Sequence, residues 1–163
     1  MPKNKVVTSD YQSKEFESYF QQKRPEMLKY VPQKASTILE VGCSSGGFGQ
    51  LLKTERSVEV WGVELNEQAA EIAAQRIDRV ICAAFDSNLD LPSQYFDCII
   101  FNDVLEHLVD PFSALLYSKE LLRNGGVVIT SIPNIIYLRF SMALVTCFYT
   151  IHLSHYALDR ESV

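Results

Sequence analysis

The sequence predicts an α/β fold of three layers around a mostly parallel sheet, and three observations predict it. From Thr37 onward, short apolar runs alternate with longer amphipathic segments, the pattern of βαβ units. The run Phe96 to Phe101 is nearly all apolar, as a central strand covered on both faces must be. A glycine-rich turn, Gly42 to Gly49, directly follows the first apolar run, where such folds pass from strand to helix.

Each element follows from local chemistry. Lys14 to Tyr30 has the spacing of an amphipathic helix that uses Phe16, Tyr19, Phe20, Met27 and Leu28 and is closed by Pro32. Thr37 to Val41 is the first strand, and after the glycine turn comes a helix with Phe48, Leu51 and Leu52 on one face. Val58 to Val63 is the second strand. Asn66 is placed to cap the next helix, in which Ala69, Ala70, Ile72, Ala73 and Ile77 recur at helical spacing. Arg79 to Ala83 and Phe96 to Phe101 are the third and fourth strands. Asp110-Pro111 supplies an N-cap and a first-turn proline for a helix with Phe112, Leu115, Leu116 and Leu122 inward, ended by Asn124-Gly125-Gly126. Val127 to Ile132 is the fifth strand. Ile135 to Leu153 is apolar apart from Arg139, His152 and small polar residues, and approaches the ~20 residues of a bilayer span. Because a span would have to bury or snorkel Arg139, a helix that covers a substrate or forms a dimer is the first expectation, and an ordinary core helix the second.

Size and composition narrow the class. With 163 residues, 47% of them hydrophobic and 21% charged, the chain fits one globular domain over 1–163. A net charge of -5 and a pI near 5.2 disfavour a broad phosphate-neutralising surface, so nucleic acid is not the expected partner. Cys43, Cys82, Cys98 and Cys147 form no CxxC pair and suit small buried thiols in a cytoplasmic protein. The N-terminus carries no apolar signal core.

The chemistry gathers at predicted strand ends. In Glu40-Val-Gly42-Cys43-Ser-Ser-Gly46-Gly47, Gly42 permits a tight turn, and the later glycines let backbone amides approach a ligand. Glu64 follows Gly42 at about the 20-residue interval at which nucleotide-binding folds place a carboxylate on ribose hydroxyls. Asp86 follows the third strand and is read either as an acceptor for an exocyclic amine or as a residue of a polar turn with Ser87 and Asn88. Asn102 and Asp103 end the fourth strand and are expected at the rim of the crevice.

These stretches resemble the class I S-adenosylmethionine (SAM)-dependent methyltransferases, a Rossmann-like family. EVGCSSGGFG resembles their first motif, WGVELN the second, AAFDSNLDLP the adenine-side segment, and FNDVLEHLVDP with GGVVITSIPN the last two strands, in register from about Thr37 to Asn134. The resemblance implies SAM as cofactor. It places Gly42, Cys43 and Gly46 under the methionine part, with Glu40 buttressing the turn. It puts Glu64 on the ribose, Leu65 and Phe85 against the adenine, Asp86 on its amine, and the Asn102 backbone at the methionine end. Ser44 stands where many members have glycine. The family continues through two further strands, so the C-terminal strands are expected to be missing or incomplete and the chain reads as truncated.

A sulfonium methyl is already activated, and the expected reaction is its in-line displacement by an acceptor held in place, with orientation alone contributing up to ~7–11 kcal/mol. His107 is the candidate base where the acceptor must lose a proton. Some relatives, including ubiquinone-pathway O-methyltransferases, use a similar acid-x-x-Glu-His cluster for a divalent ion, which makes Asp103, Glu106 and His107 secondary candidates for a metal although none is the first expectation. The acceptor is expected to be a small molecule or a glycan. A membrane contact and a homodimer are further options. Two alternatives stand beside this: a non-catalytic SAM-binding or interaction module, and an NAD-dependent oxidoreductase in which Gly42, Ser44 and Gly47 imitate a dinucleotide turn.

Overall fold

The computed structural model describes residues 23–132. Thr37–Val41 forms β1, buried at every position. It is followed by α1 (Gly47–Glu55), β2 (Glu59–Glu64), α2 (Glu67–Ala73), β3 (Arg79–Cys82), β4 (Phe96–Asn102), α3 (Pro111–Leu121) and β5 (Leu122–Ser131). Short 3-10 helices occupy Pro25–Tyr30 and Leu105–His107.

Among the described residues five strands lie in the order β3-β2-β1-β4-β5, and every pairing between them is parallel. The chain leaves β1 toward β2 on one side and returns to β4 on the other. Carboxyl ends therefore diverge beside β1, the place where an open parallel sheet has a crevice. Alternate residues feed two cores. Ile38, Val60, Ile100 and Ile129 pack with Phe48 and Leu52 of α1. Leu39, Ile99, Phe101 and Val128 pack with Tyr117 and Leu121 of α3. Each fully buried side chain of this size contributes roughly 1.5–3 kcal/mol, so both faces need their helices. This is the expected three-layer Rossmann-like fold.

Both expected caps form. The Ala69 amide donates to Asn66 Oδ1 at 3.0 Å, and the Ser113 amide donates to Asp110 Oδ1 at 2.9 Å. At the amino ends of β1 and β4, Asp97 Oδ2 accepts from the amides of Ser36 and Thr37 and from both their hydroxyls, at 2.8 to 3.0 Å. Burial alone would raise the Asp97 pKa, but these four donors outweigh it and hold the carboxyl at about 2.

Several expectations need correction. The helix read over Lys14 to Tyr30 does not run on to Tyr30 as one α-helix, because Arg24 is left-handed (φ 46°) and a 3-10 helix begins at Pro25. Proline has no N–H to give and its ring disfavours helical geometry in the residue before it. Met27 is nonetheless buried, as expected. Ile72, Phe112 and Leu116 face outward, at 41%, 70% and 50% exposure. In α3 the inward stripe is Ala114, Tyr117, Ser118 and Leu121, with the buried Ser118 hydroxyl satisfied by the Ala114 carbonyl at 2.8 Å. Leu122 opens β5 instead of closing α3. The turn Asn124-Gly125-Gly126 sits within β5 as a bulge: Phe96 pairs with Leu122 and Cys98 with Val127, and Gly125 has φ 80°. Cys43 and Cys98 are buried as expected, but Cys82 is exposed. The segment Ile135 to Leu153, residues 14–22 and Cys147 lie outside the described residues.

Candidate functional site

A cavity of about 510 Å³ opens at the carboxyl edge of the sheet, between the ends of β1, β2 and β3 and the start of α3. Gly42, Glu64, Leu65, Phe85, Asp86 and His107, all singled out by sequence, line it together.

Gly42 is required twice over. Its φ is 66°, in the left-handed region, and a Cβ there would lie 2.5 Å from Val104 Cγ2. Its amide and that of Cys43 both donate to the Val63 carbonyl, at 2.8 and 3.1 Å, which pins the turn across the end of β2. Ser44 follows, also left-handed at φ 52°. That conformation is the physical reason glycine would sit comfortably at this position.

Glu64 closes the turn from the other side. Its Oε2 accepts from the Ser44 amide at 2.8 Å and its Oε1 from the Asn66 amide at 2.9 Å. A carboxylate accepts about four hydrogen bonds, so two sites remain for hydroxyls in the cavity. Beyond it, Leu65 is 73% exposed on the cavity wall. Phe85 is buried and meets Phe101 edge-on with centroids 5.7 Å apart. Asp86 Oδ1 accepts from the Asn88 amide at 2.8 Å, the polar turn that its neighbours suggested. His107 ends the 3-10 helix Leu105–His107, lines the cavity and is exposed.

The remaining expected residues are not on the cavity wall: Cys43 and Gly46 belong to the turn itself, and Glu40 and Asn102 to β1 and β4. Glu40 is 3% exposed, with Oε1 accepting from Asn102 Nδ2 at 3.2 Å. Glu40 Oε2 and Asn102 Oδ1 are buried with no hydrogen-bond partner. Burial pushes the Glu40 carboxyl up to about 8; the Asn102 amide, the nearby Gly49 amide and Arg24 pull it down, while Glu64 adds to the rise. Asn102 was expected at the rim, yet its side chain turns inward to this buried acid. Cys43 Sγ occupies the space above Gly62, where a Cβ would come within 2.4 Å of it. Burial, with Glu40 and Glu64 nearby, raises its pKa. Gly46 (φ 73°) packs on α2, where a Cβ would sit 3.1 Å from Ala73 Cα.

Asp103, φ 55°, is engaged elsewhere. Arg24 pairs with its carboxylate, Ser131 Oγ donates to it at 2.7 Å, and its amide donates to the Ser131 carbonyl at 3.1 Å. Among the described residues no group of three or more His, Cys, Asp or Glu is placed to hold a metal ion. Sequence reasoning missed Val104, Leu108 and Ser113 on the cavity wall, and the Arg24–Asp103 pair. Val104 and Leu108 were visible only as apolar residues in a loop. For Arg24 and Asp103, 79 residues apart, the sequence carried no pairing signal.

A family model described as a methyltransferase domain matches residues 11–157. The ubiquinone biosynthesis O-methyltransferase of Idiomarina loihiensis is 30% identical over 104 residues, covering 60% of this chain and 42% of that protein. A solved structure from Thermotoga maritima, described as a SAM-dependent methyltransferase and possible histamine N-methyltransferase, has a TM-score of 0.62 at 26% identity. It covers 77% of this chain and 60% of its own. The plantazolicin methyltransferase BpumL, solved with S-adenosylhomocysteine (SAH), has a TM-score of 0.65 at 16% identity, covering 80% and 57%. This chain spans about half the length of the curated relatives it matches.

Proposed function

Since the chain belongs to the methyltransferase-domain family, within the class I SAM-dependent methyltransferases, we propose that it binds SAM in the cavity beside Gly42 and Glu64 and supports methyl transfer from it. The observation that carries the reading is Glu64. Two backbone amides fix its carboxylate at the cavity wall, and its remaining acceptor sites suit the paired hydroxyls of a ribose.

The other residues fit the same group. A cavity of about 510 Å³ lies within the range of small-molecule and cofactor sites. Leu65 and Phe85 offer apolar surface to an adenine, and Asp86 a carboxylate to its amine. Gly42 has no side chain to add beside Val104, so its backbone itself forms this part of the cavity wall. The Cys43 and Asn102 backbones and Gly46 would border the methionine end, with Glu40 supporting the turn from below. When bound, the cofactor supplies an activated methyl on a sulfonium. The chain's own task is to orient the acceptor and keep water out, which needs no base unless the acceptor must lose a proton. His107, which lines the same cavity, is the candidate base for that case.

We read the cavity segment from Val104 to Ala114 as the acceptor side: Val104, Leu108, Val109 and Ala114 are apolar, His107, Asp110 and Ser113 polar, and none is basic apart from the histidine, which favours a small molecule or a glycan over nucleic acid. We read the whole chain, 1–163, as one domain in the cytoplasm; among the described residues no helix is long and apolar enough to cross a membrane. A homodimer remains part of this reading, checked by light scattering. Neither the non-catalytic module nor the NAD-dependent oxidoreductase finds support among the relatives reported above.

Calorimetry with SAM, SAH and NAD tests the cofactor. Binding of the first two and not of the third is expected, with Glu64→Ala weakening SAM at least tenfold while the thermal melt stays cooperative. Equal SAM affinity in Glu64→Ala would sink the assignment. Release of SAH with phenolic or glycan acceptors then tests transfer.

A further inference from the structure

Glu40 is a buried acid with too few partners to be an anion. One amide, from Asn102, donates to Oε1; Oε2 makes no hydrogen bond, although the nearby Gly49 amide favours the anion to a lesser degree than burial opposes it. A buried carboxylate needs several donors or a counter-ion, whereas leaving a single neutral O–H unpaired costs much less. The charged and titratable groups around it do not supply the deficit. Arg24 is committed to Asp103 and Glu26. Cys43, on the turn, is a neutral thiol, and α1 presents only the Gly49 backbone. Glu64, at the end of β2, carries a like charge.

Glu40 immediately precedes Val41 and Gly42, both on the cavity wall, so it lies just behind that wall. A like charge on the same wall, the Glu64 carboxylate, raises the Glu40 proton affinity. A positive charge placed in the same cavity acts with the opposite sign.

Resting on the cofactor reading above, we infer that Glu40 holds its proton on Oε2 in the empty protein and is a specificity residue that separates SAM from SAH by charge. The sulfonium of SAM drives the proton from Glu40 to solvent and is stabilised by the carboxylate left behind. The thioether of SAH lacks that charge and leaves Glu40 neutral. Linkage then requires the preference for SAM over SAH to grow with pH, by up to tenfold per unit while Glu40 is protonated in the empty protein. Product is favoured least where the acid ionises most readily.

Two measurements test this. Calorimetry of the full chain between pH 6 and 7, in buffers of different ionisation enthalpy, counts protons released on binding. SAM is expected to release more than SAH by a fraction approaching one, and Glu40→Gln, which stays neutral, is expected to abolish that difference and flatten the pH dependence of the SAM-to-SAH affinity ratio. The glutamine variant also subtracts the titration of the cofactor's own amine. Should that variant fail to fold, infrared spectra of the wild-type chain labelled with 13C-glutamate serve instead: a protonated-carboxyl band at neutral pH should disappear on adding SAM and persist on adding SAH. Equal proton counts, or a band unchanged by SAM, would overturn the inference while leaving SAM binding intact. Absence of binding by both ligands would remove the cofactor reading as well.

Discussion

At the scale of single residues, the glycine turn makes two separable demands on Gly42. The backbone is left-handed, which costs a residue with a Cβ about 1–2 kcal/mol. The space is also taken, since that Cβ would meet Val104 Cγ2 at 2.5 Å. Gly42→Ala is therefore expected to lower stability by about 2–3 kcal/mol in urea denaturation. Adding Val104→Ala should recover the steric part and leave the backbone part. A double variant no better than the single one would mean that Val104 does not limit the turn. The sequence reached Gly42 and Glu64 because both constraints are local: a strand end, a turn, and the next strand end one βαβ unit later. It placed Asn102 at the end of the fourth strand but left its side-chain direction open, because polarity at a strand end looks the same whether the side chain faces the crevice or a buried acid one strand away. The Arg24–Asp103 pair was out of reach for a similar reason, as a contact across 79 positions leaves no periodicity to read.

Elements were more legible than their faces. Strands and their order of appearance follow from apolar runs, and both N-caps follow from a side chain meeting an orphan amide three residues on. Faces failed where helices are short or carry apolar residues on two sides. α2 has two turns, so Ile72 escapes the core while Ile77 is buried just beyond the helix end. In α3 the buried stripe contains Ala114 and Ser118, small residues that lie close to the sheet, and the larger Phe112 and Leu116 project outward. Residue size misled where packing distance decided. The cap of α2 provides a test at this scale. Asn66→Ala removes the acceptor of the Ala69 amide and is expected to cost about 1 kcal/mol, with Asn66→Ser restoring most of it. Because the Asn66 backbone amide that holds Glu64 is untouched in both, thermal melts should shift while SAM affinity stays within about twofold, a change of under ~0.5 kcal/mol.

For the whole molecule, two carboxyls at opposite ends of the sheet give stability a shape against pH. Asp97 ties β4 to the start of β1 with a folded-state pKa of about 2, below the ordinary value of 3.8. A depressed pKa contributes stability that is complete above the unfolded value and lost as pH falls through the folded one, so this limb rises from about pH 2 to about 4. Glu40 has the opposite sign. Its folded pKa, about 8, stands above the ordinary value of 4.5, so the folded state keeps a proton that the unfolded chain has released. That contribution is complete below pH 4.5 and is lost as pH rises to about 8, an effect of up to roughly 5 kcal/mol across the window. The empty protein should therefore be most stable in mildly acidic solution and weaken toward pH 8. Urea denaturation at intervals from pH 3 to 8 checks it, with Asp97→Asn flattening the acidic limb and Glu40→Gln the neutral one. Wild-type stability that climbs steadily from pH 5 to 8 would mean that Glu40 is ionised in the fold, and that the buried pair with Asn102 carries a charge after all.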